Sequence, residues 1–324
     1  MSKTALVTGI TGQDGAYLSR LLLERDYRVT GLVRNFSNAD ERGLKFLGIE
    51  KKVRLLECDL TNLPQVISIV KETQPSEIYN LAAQSSVFQS FEQPIETIGF
   101  NIISVLNLLE AVRLFKPDVK FYQATSCEIF GAAANLPINE SSPISPVSPY
   151  SVSKASGYLI TKNYRESYNL FSCSGILFNH ESFLRNENFF VKKVIRTAVK
   201  IKNGQAEFLE VGNIDIKRDF GWAAKYVESM FLMLQQETPD DYVICSEKSV
   251  SLRSIIEFVF DYLDISTDRL KLSEKLYRPT EIMDIYGDST KAKKVLGWNY
   301  DLSFYEVLQI LIDEEIRYFD KLQN

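Results

Sequence analysis

Lys3-Thr-Ala-Leu-Val-Thr8 runs directly into Gly9-Ile-Thr-Gly12-Gln-Asp-Gly15 and then into Tyr17-Leu-Ser-Arg-Leu-Leu-Leu-Glu24. The first segment reads as a buried strand, the last as a helix, and the middle as Gly-x-x-Gly-x-x-Gly joining them. Glycines there let the backbone turn tightly and approach a pyrophosphate, while the helix N-terminus favours the anion. A strand–turn–helix of this kind predicts an α/β chain, a Rossmann-type doubly wound parallel sheet that binds a dinucleotide. The second strand, Arg28-Val-Thr-Gly-Leu-Val33, ends in Arg34, with Arg42 in the polar loop beyond. An acidic residue in that place would hold a ribose 2′-hydroxyl, whereas a cation suits a 2′-phosphate, so NADP is expected rather than NAD.

The alternation continues. Val53-Arg-Leu-Leu-Glu-Cys58 precedes Asp59-Leu60, where the carboxylate can accept from an adenine amino group or cap a helix beginning near Thr61-Asn62. Glu77-Ile-Tyr-Asn80-Leu-Ala-Ala-Gln-Ser85 is a strand running into small residues, over which a cofactor could lie. A helix from Glu96 to Phe115 carries Ile102, Val105, Leu106, Leu109 and Val112 at helical spacing, with Asn101 as a polar exception. Lys120-Phe-Tyr-Gln-Ala124 is the fifth strand, and Ser126 and Glu128 follow it. Ligands bind at the carboxyl ends of such strands, so both should face the same crevice as the next motif; a helix cap and a solvated loop acid are the competing readings.

That motif is Ser148-Pro-Tyr150-Ser-Val-Ser-Lys154, a phenol and an ammonium one helical turn apart with Pro149 suited to the first turn. A cation beside a phenol lowers its pKa, so the pair could take a proton from a sugar hydroxyl near neutral pH. The spacing alone also fits a solvated helix. After Phe183 the alternation loosens, and a basic helix from Phe190 to Asn203 carries Lys192, Lys193, Arg196, Lys200 and Lys202, one or two of which could meet phosphate. C-terminal helices are expected over Ser251–Leu263 and Ser303–Phe319.

Composition narrows the class. The 324 residues carry a formal net charge of -5, which argues against nucleic acid or a membrane surface. No apolar run suggests a membrane span, and no signal peptide is expected before the first strand. Four scattered cysteines read as free thiols of a cytoplasmic protein, and one histidine leaves no His-based metal site.

The combination resembles the extended short-chain dehydrogenase/reductase superfamily and, within it, the GDP-mannose 4,6-dehydratase family. The resemblance rests on the glycine loop, Asn80-Leu-Ala-Ala-Gln-Ser85, Tyr150-x-x-x-Lys154, Asn163-Tyr-Arg-Glu-Ser-Tyr168 and Asn179-His-Glu-Ser182. Gly212-Asn-x-Asp-x-x-Arg218-Asp, Tyr277-Arg-Pro-x-Glu281, Gly287-Asp-x-Thr-Lys-Ala292 and Leu296-Gly-Trp298 extend it. It implies a nucleotide-sugar 4,6-dehydratase, a hydro-lyase that takes GDP-mannose to its 4-keto-6-deoxy product with NADP regenerated in each cycle. By position, Tyr150 would be the base for the 4-hydroxyl, Lys154 its tuning partner on the nicotinamide ribose, Ser126 a hydrogen-bond donor to the 4-oxygen, and Glu128 the group handling the C5 proton and C6 leaving group. Gly9, Thr11, Gly12, Gln13, Asp14, Gly15, Arg34, Asp59, Leu60, Leu81, Ala82, Ala83, Ser85, His180 and Arg185 would line the cofactor. Ser85, Asn179, Lys193, Arg218, Arg278 and Glu281 would hold the sugar nucleotide.

The same resemblance implies residues 1–178 as the NADP-binding Rossmann domain, with returning segments near 212–245 and 283–291. Residues 179–324 would form a smaller mixed α/β C-terminal substrate domain. A homodimer or homotetramer would form through the helices near 96–115 and 150–168. The chain departs from the family pattern where Ser126 replaces Thr, Cys127 replaces Ser, Asn35 replaces a second arginine in a shortened loop, and Phe183-Leu184 replaces Pro-Arg. Rival readings keep the fold and change the chemistry to an NADPH-dependent 4-keto-sugar reductase or an epimerase. Others change the sugar, for instance to a GDP-manno-heptose, or leave only a non-catalytic NADP sensor.

Overall fold

A computed structural model describes residues 3–133 and 135–323. In chain order the first half gives β1 (Thr4–Thr8), α1 (Gln13–Leu23), β2 (Arg28–Val33), α2 (Arg42–Phe46), β3 (Arg54–Glu57), α3 (Leu63–Thr73), β4 (Glu77–Asn80), α4 (Val87–Glu92), α5 (Pro94–Phe115), β5 (Lys120–Ser126) and α6 (Pro149–Tyr168). The second half gives β6 (Ser172–Leu177), β7 (Asn179–Glu181), α7 (Phe190–Lys202), β8 (Leu209–Val211), β9 (Lys217–Trp222), α8 (Ala223–Leu234), β10 (Tyr242–Ile244), β11 (Ser249–Ser251), α9 (Leu252–Tyr262), β12 (Leu270–Leu272), α10 (Thr290–Leu296) and α11 (Phe304–Gln323).

Seven strands form one parallel sheet in the order β10-β6-β5-β4-β1-β2-β3. This is the Rossmann-type order, with the direction of winding reversing between β1 and β4. Register places Thr8 beside Asn80 and Leu32, Asn80 beside Gln123, and Ser126 beside Leu177, so the carboxyl ends of β1, β2, β4 and β5 share one edge. Both faces are covered, which suits strands with no solvated side. Tyr17, Leu18, Leu22, Tyr226, Met230 and Met233 from α1 and α8 pack on one face. Val66, Val70, Val105, Leu108, Leu109, Val112 and Tyr164 from α3, α5 and α6 pack on the other. A separate apolar core lies in the C-terminal part, where Val194, Ile195, Val199, Ile255, Val259, Val307 and Leu311 join α7, α9 and α11.

Local sequence explains the boundaries that matter for the site. Ser148 caps α6 through a capping box with Ser151, and Pro149 occupies the first turn as expected. Asn62, not Asp59, caps α3 by accepting from the Gln65 amide. Arg165, part of the Asn163–Tyr168 motif, makes a bidentate pair with Asp241 at 2.6 and 2.9 Å, which ties α6 to the edge strand β10. One sequence expectation is corrected: α5 is long and apolar enough, by length and composition, to cross a membrane. Here it packs against α3 and α6, burying Val105, Leu108, Leu109 and Val112, while Ile95, Ile103, Leu106, Leu114 and Phe115 stay exposed. Cys58, Cys127, Cys173 and Cys245 are all buried free thiols.

Candidate active site

A cleft of about 1020 Å³ opens along the carboxyl edge of the sheet. Its floor depends on two glycines. Gly9 has φ of 65°, and a Cβ there would stand 2.9 Å from the Ala82 nitrogen; a Cβ on Gly15 would collide with the Gly9 carbonyl. The first amides of α1 face this space with no side chain capping them, since the N-cap is Gly12. Thr8 holds the opposing segment: its hydroxyl accepts from the Leu81 and Ala82 amides, both at 3.0 Å, and donates to Asn80 at 2.7 Å.

Of the residues expected around a cofactor, Gly9, Thr11, Gly12, Gln13, Asp14 and Gly15 line this cleft. So do Arg34, Asp59, Leu60, Leu81, Ala82, Ala83, Ser85 and Arg185. Asp59 is locked in a turn by the Thr61 amide and hydroxyl at 2.9 and 2.7 Å, which settles its competing reading as a helix cap against the cap. Arg42 does not point at the cleft's ribose end as a free cation, because Asp40 holds it through both carboxylate oxygens. Arg34 is a cation on the wall, its guanidinium 5.8 Å from the Phe100 ring. Sequence reasoning missed Asn38, Gln89, Glu96 and Phe100, which reach the cleft from the β2–α2 connection and from α4 and α5. No motif marks them, because their place depends on how those helices close over the strand ends.

His180 lies behind the glycine loop and is not on the cleft wall. Its Nε2 donates to both oxygens of Asp14, at 3.0 and 2.9 Å, and its Nδ1 donates to the Phe178 carbonyl at 2.7 Å. Two donating nitrogens describe an imidazolium. Burial opposes that charge, but the Asp14 carboxylate and the Phe178 carbonyl outweigh it and raise the pKa. Gln13 adds a bond to the His180 carbonyl, and Ser182 donates to Gln13, so Asn179–Ser182 straps the loop from behind. Arg185 reaches the cleft with its guanidinium 3.6 Å from the Phe189 ring and 3.6 Å from Glu181.

Tyr150, Ser126 and Glu128 meet where β5 ends and α6 begins, with Tyr150 and Glu128 buried and Ser126 half-buried. The Tyr150 phenol is pushed up by burial; the Ser126 hydrogen bond and the Arg185 charge work against that, while Glu128 adds to it. This corrects the expected lowering. The Lys154 ammonium does not hydrogen-bond the phenol; it donates to the Ala124 carbonyl at 2.7 Å. Burial pulls Lys154 down to about 8, partly offset by the charge of Asp14. The i, i+4 spacing puts the two residues on one helical face, but the Ala124 carbonyl within β5, which also accepts from the Gln123 side chain at 2.9 Å, takes the ammonium.

The residues expected for the sugar nucleotide come from distant parts of the chain. Arg218, on β9, is 4% exposed and donates to the Lys217 and Ile282 carbonyls at 2.7 and 2.6 Å. Burial lowers its pKa, and the charges of Glu128, Arg278 and Glu281 all act on it, so these four side chains converge. Glu281 sits 3.9 Å from Arg278 and keeps one buried oxygen without a hydrogen-bond partner. Asn179 is half-buried on β7, paired in register with Phe220, and Lys193 is half-buried on α7. Lys192 and Arg196 on that helix are committed to Glu315 and Glu187, at 2.5 and 2.7 Å. Among the described residues, no group of three or more His, Cys, Asp or Glu side chains is placed to hold a metal ion.

Through Arg185 the cleft thus adjoins a buried phenol, a carboxylate and two arginines, which do not themselves line its wall; nor does Lys154. The solved structure of DesIV, a dTDP-glucose 4,6-dehydratase from Streptomyces venezuelae with NAD and TYD bound, superposes with a TM-score of 0.87 at 19% identity over 97% of each chain. The UDP-glucose 4-epimerase of Thermotoga maritima with UDP-glucose superposes with a TM-score of 0.86 at 21% identity, covering 99% of this chain and all of that one. These likenesses establish the fold. Sequence goes further: GDP-mannose 4,6 dehydratase 1 of Arabidopsis thaliana is 42% identical over 97% of this chain and 90% of its own length. GDP-mannose 4,6 dehydratase of Homo sapiens is 39% identical over 96% and 91%. A family model described as GDP-mannose 4,6 dehydratase matches residues 6–311, spanning both the cleft and the arginine cluster, and the chain belongs to that family.

Proposed function

We propose that the protein is a GDP-mannose 4,6-dehydratase that uses NADP. The observation that carries the reading is the convergence of Ser126, Glu128 and Tyr150 at the end of β5 with the buried Arg218 beside them. A reductase or epimerase needs the phenol but not a second proton-handling group, so the carboxylate favours elimination.

The residues fit a dinucleotide: the close approach at Gly9 and Gly15 and the uncapped α1 amides make room for a pyrophosphate. Arg34 at the end of β2 supports NADP, since a guanidinium pairs well with a 2′-phosphate. Bound NADP⁺ would supply the hydride acceptor for C4 and the donor for C6. With Lys154 turned toward it and the charge of the bound cofactor offsetting its burial, Tyr150 would stand as phenolate and take the proton of the 4-hydroxyl, with the Ser126 hydroxyl holding that oxygen. A ketone at C4 acidifies the C5 hydrogen, and Glu128 moves that proton to the departing C6 oxygen as water is lost; with hydride returned to C6, C5 takes a proton from solvent through Glu128, while Tyr150 releases to solvent the proton it took. Lys154 orders the cofactor ribose once it leaves the Ala124 carbonyl. Arg218 and Arg278 pair with the diphosphate, with Asn179, Lys193, Ser85 and Glu281 holding the rest of the sugar nucleotide.

The chain is proposed to divide into a cofactor domain over residues 1–178, with returning segments near 212–245 and 283–291, and a substrate domain mainly over 179–324. The exposed apolar side chains of α5 and of Val152, Leu159 and Tyr168 on α6 support a homodimer. Four free buried thiols suit the cytoplasm. Purified protein incubated with GDP-mannose and no added NADPH should yield a product lighter by one water in mass spectrometry. Turnover only with added NADPH and a keto-sugar would replace this reading by the reductase. A panel of other GDP-sugars, a GDP-manno-heptose included, tests the choice of sugar.

A further inference from the structure

Glu181 ends β7, paired in register with Trp222, and is 3% exposed. A carboxylate so placed is costly unless its charge is answered and its hydrogen bonds are made. One of its oxygens, Oε2, has no hydrogen-bond partner among the described residues. The charged groups that face it are Arg185 from the turn after β7, His180 from β7 itself, Lys192 from α7, and the Asp14 carboxylate from α1. His180 and Asp14 bond each other, and Lys192 bonds Glu315 and the Phe183 carbonyl. Arg185 is left. Its Nε is buried without a hydrogen-bond partner and stands 3.6 Å from Glu181 Oε1, near enough for an ion pair and too far for a good hydrogen bond.

The turn that carries Arg185 is anchored. The Arg185 amide donates to the Ser182 carbonyl at 3.1 Å, and the Ser182 hydroxyl donates to Gln13 of the glycine loop at 2.7 Å. The Phe183 ring packs against Phe46 and Tyr318, with centroids 4.7 and 5.3 Å away. From that turn the Arg185 side chain lines the cofactor cleft and lies against the Phe189 ring. Its charge acts on the Tyr150 phenol, as do Ser126, Cys127 and Glu128. We propose that Glu181 is a positioning residue, whose carboxylate governs how much of the Arg185 charge reaches the proposed base Tyr150. The inference rests on the dehydratase reading above. A cation favours the phenolate, and a carboxylate behind that cation offsets it, so the pair sets the pH below which the base is protonated and idle. Burial raises the Glu181 carboxyl, and Arg185 is the first of the charges that oppose it.

The test is the pH dependence of GDP-mannose dehydration by the protein with its bound cofactor, with kcat taken per bound cofactor. Glu181→Gln keeps the shape and removes the charge. Arg185 then acts on Tyr150 unopposed, the phenol loses its proton at lower pH, and the acidic limb of kcat should move down by about half to one pH unit. Glu181→Asp, which keeps the carboxylate, should bring the limb back toward its wild-type position. Arg185→Gln should move the limb upward, and adding Glu181→Gln to that variant should shift it no further, since the carboxylate acts through the guanidinium. An unmoved or raised limb in Glu181→Gln would overturn the inference, even with a lowered Tm, because a purely structural carboxylate changes stability alone. Equal shifts with and without Arg185 would overturn it as well. If Glu181→Gln does not fold, Glu181→Leu, which puts an apolar group in the buried place, decides by the same shift. Wild-type protein that dehydrates no GDP-mannose would sink the underlying reading instead, whereas an active wild type with unmoved variant profiles would sink only this inference.

Discussion

The glycine-loop cleft and the arginine crevice beside it are built on opposite principles. The cleft is made of backbone: Gly9, Gly12 and Gly15 lie within one short turn, and Leu81, Ala82 and Ala83 follow one strand. The crevice is made of charged side chains gathered from β5, β9 and the segment around Arg278–Glu281, with Arg218 buried to 4% exposure. A backbone site tolerates changes of side-chain charge but not an added Cβ. A crevice of desolvated charges responds the other way, because removing one partner leaves another uncompensated.

The largest effect should come from the seam between the two. Tyr150→Phe should lower turnover of GDP-mannose by at least about 10²–10⁴-fold, the usual share of a positioned acid or base. Glu128→Gln should lose a comparable factor and stop incorporation of solvent deuterium at C5, read by mass spectrometry. Full turnover in Glu128→Gln with normal folding would remove its assigned role.

On the crevice side, Arg218→Met should raise KM for GDP-mannose by roughly 10- to 10²-fold, the worth of a charged hydrogen bond of about 1.5–3 kcal/mol. Cofactor retention after desalting should be unchanged. On the cleft side, Gly9→Ala should do the reverse: a side chain at φ of 65° facing Ala82 costs on the order of 1–3 kcal/mol, lowers Tm by a few degrees and releases cofactor on desalting. If Arg218→Met lost cofactor and Gly9→Ala did not, the contrast between the two regions would fail.

The smallest effect belongs to the strap behind the loop. The folded pKa of His180 stands above its ordinary 6.5, so its contribution to stability is complete below that pH and is lost as pH rises through the folded value. Asp14 stands below its ordinary 3.8, so its contribution is present above that pH and is lost only on strong acidification. Wild-type Tm should therefore decline on the alkaline side, and His180→Gln, which cannot hold the charge, should flatten that decline. A decline of equal size in both proteins would show that the imidazolium does not hold the strap.

What could be read from the chain alone was whatever is encoded over a few neighbouring residues. The glycine spacing between a strand and a helix required the Rossmann-type sheet, because steric demands on a turn are local. Strand Arg28–Val33 came out residue for residue, and the α6 start followed from Pro149. Ser126, Glu128 and Tyr150 were assigned to one crevice from the rule that ligands gather at strand ends.

Tertiary structure decided what depends on which group reaches a partner first. Lys154 turned to the Ala124 carbonyl, and burial raised the phenol that a neighbouring cation was expected to lower. Asp40 claimed Arg42, and Asp14 claimed His180. Asn101 showed in the sequence only as a polar interruption of an apolar stripe; its side-chain bonds to the Gln84 backbone exist because α5 crosses the end of β4. Hydrogen bonds and desolvation act over about 3 Å, here between residues from 2 to 166 positions apart, and a linear pattern carries no such distances.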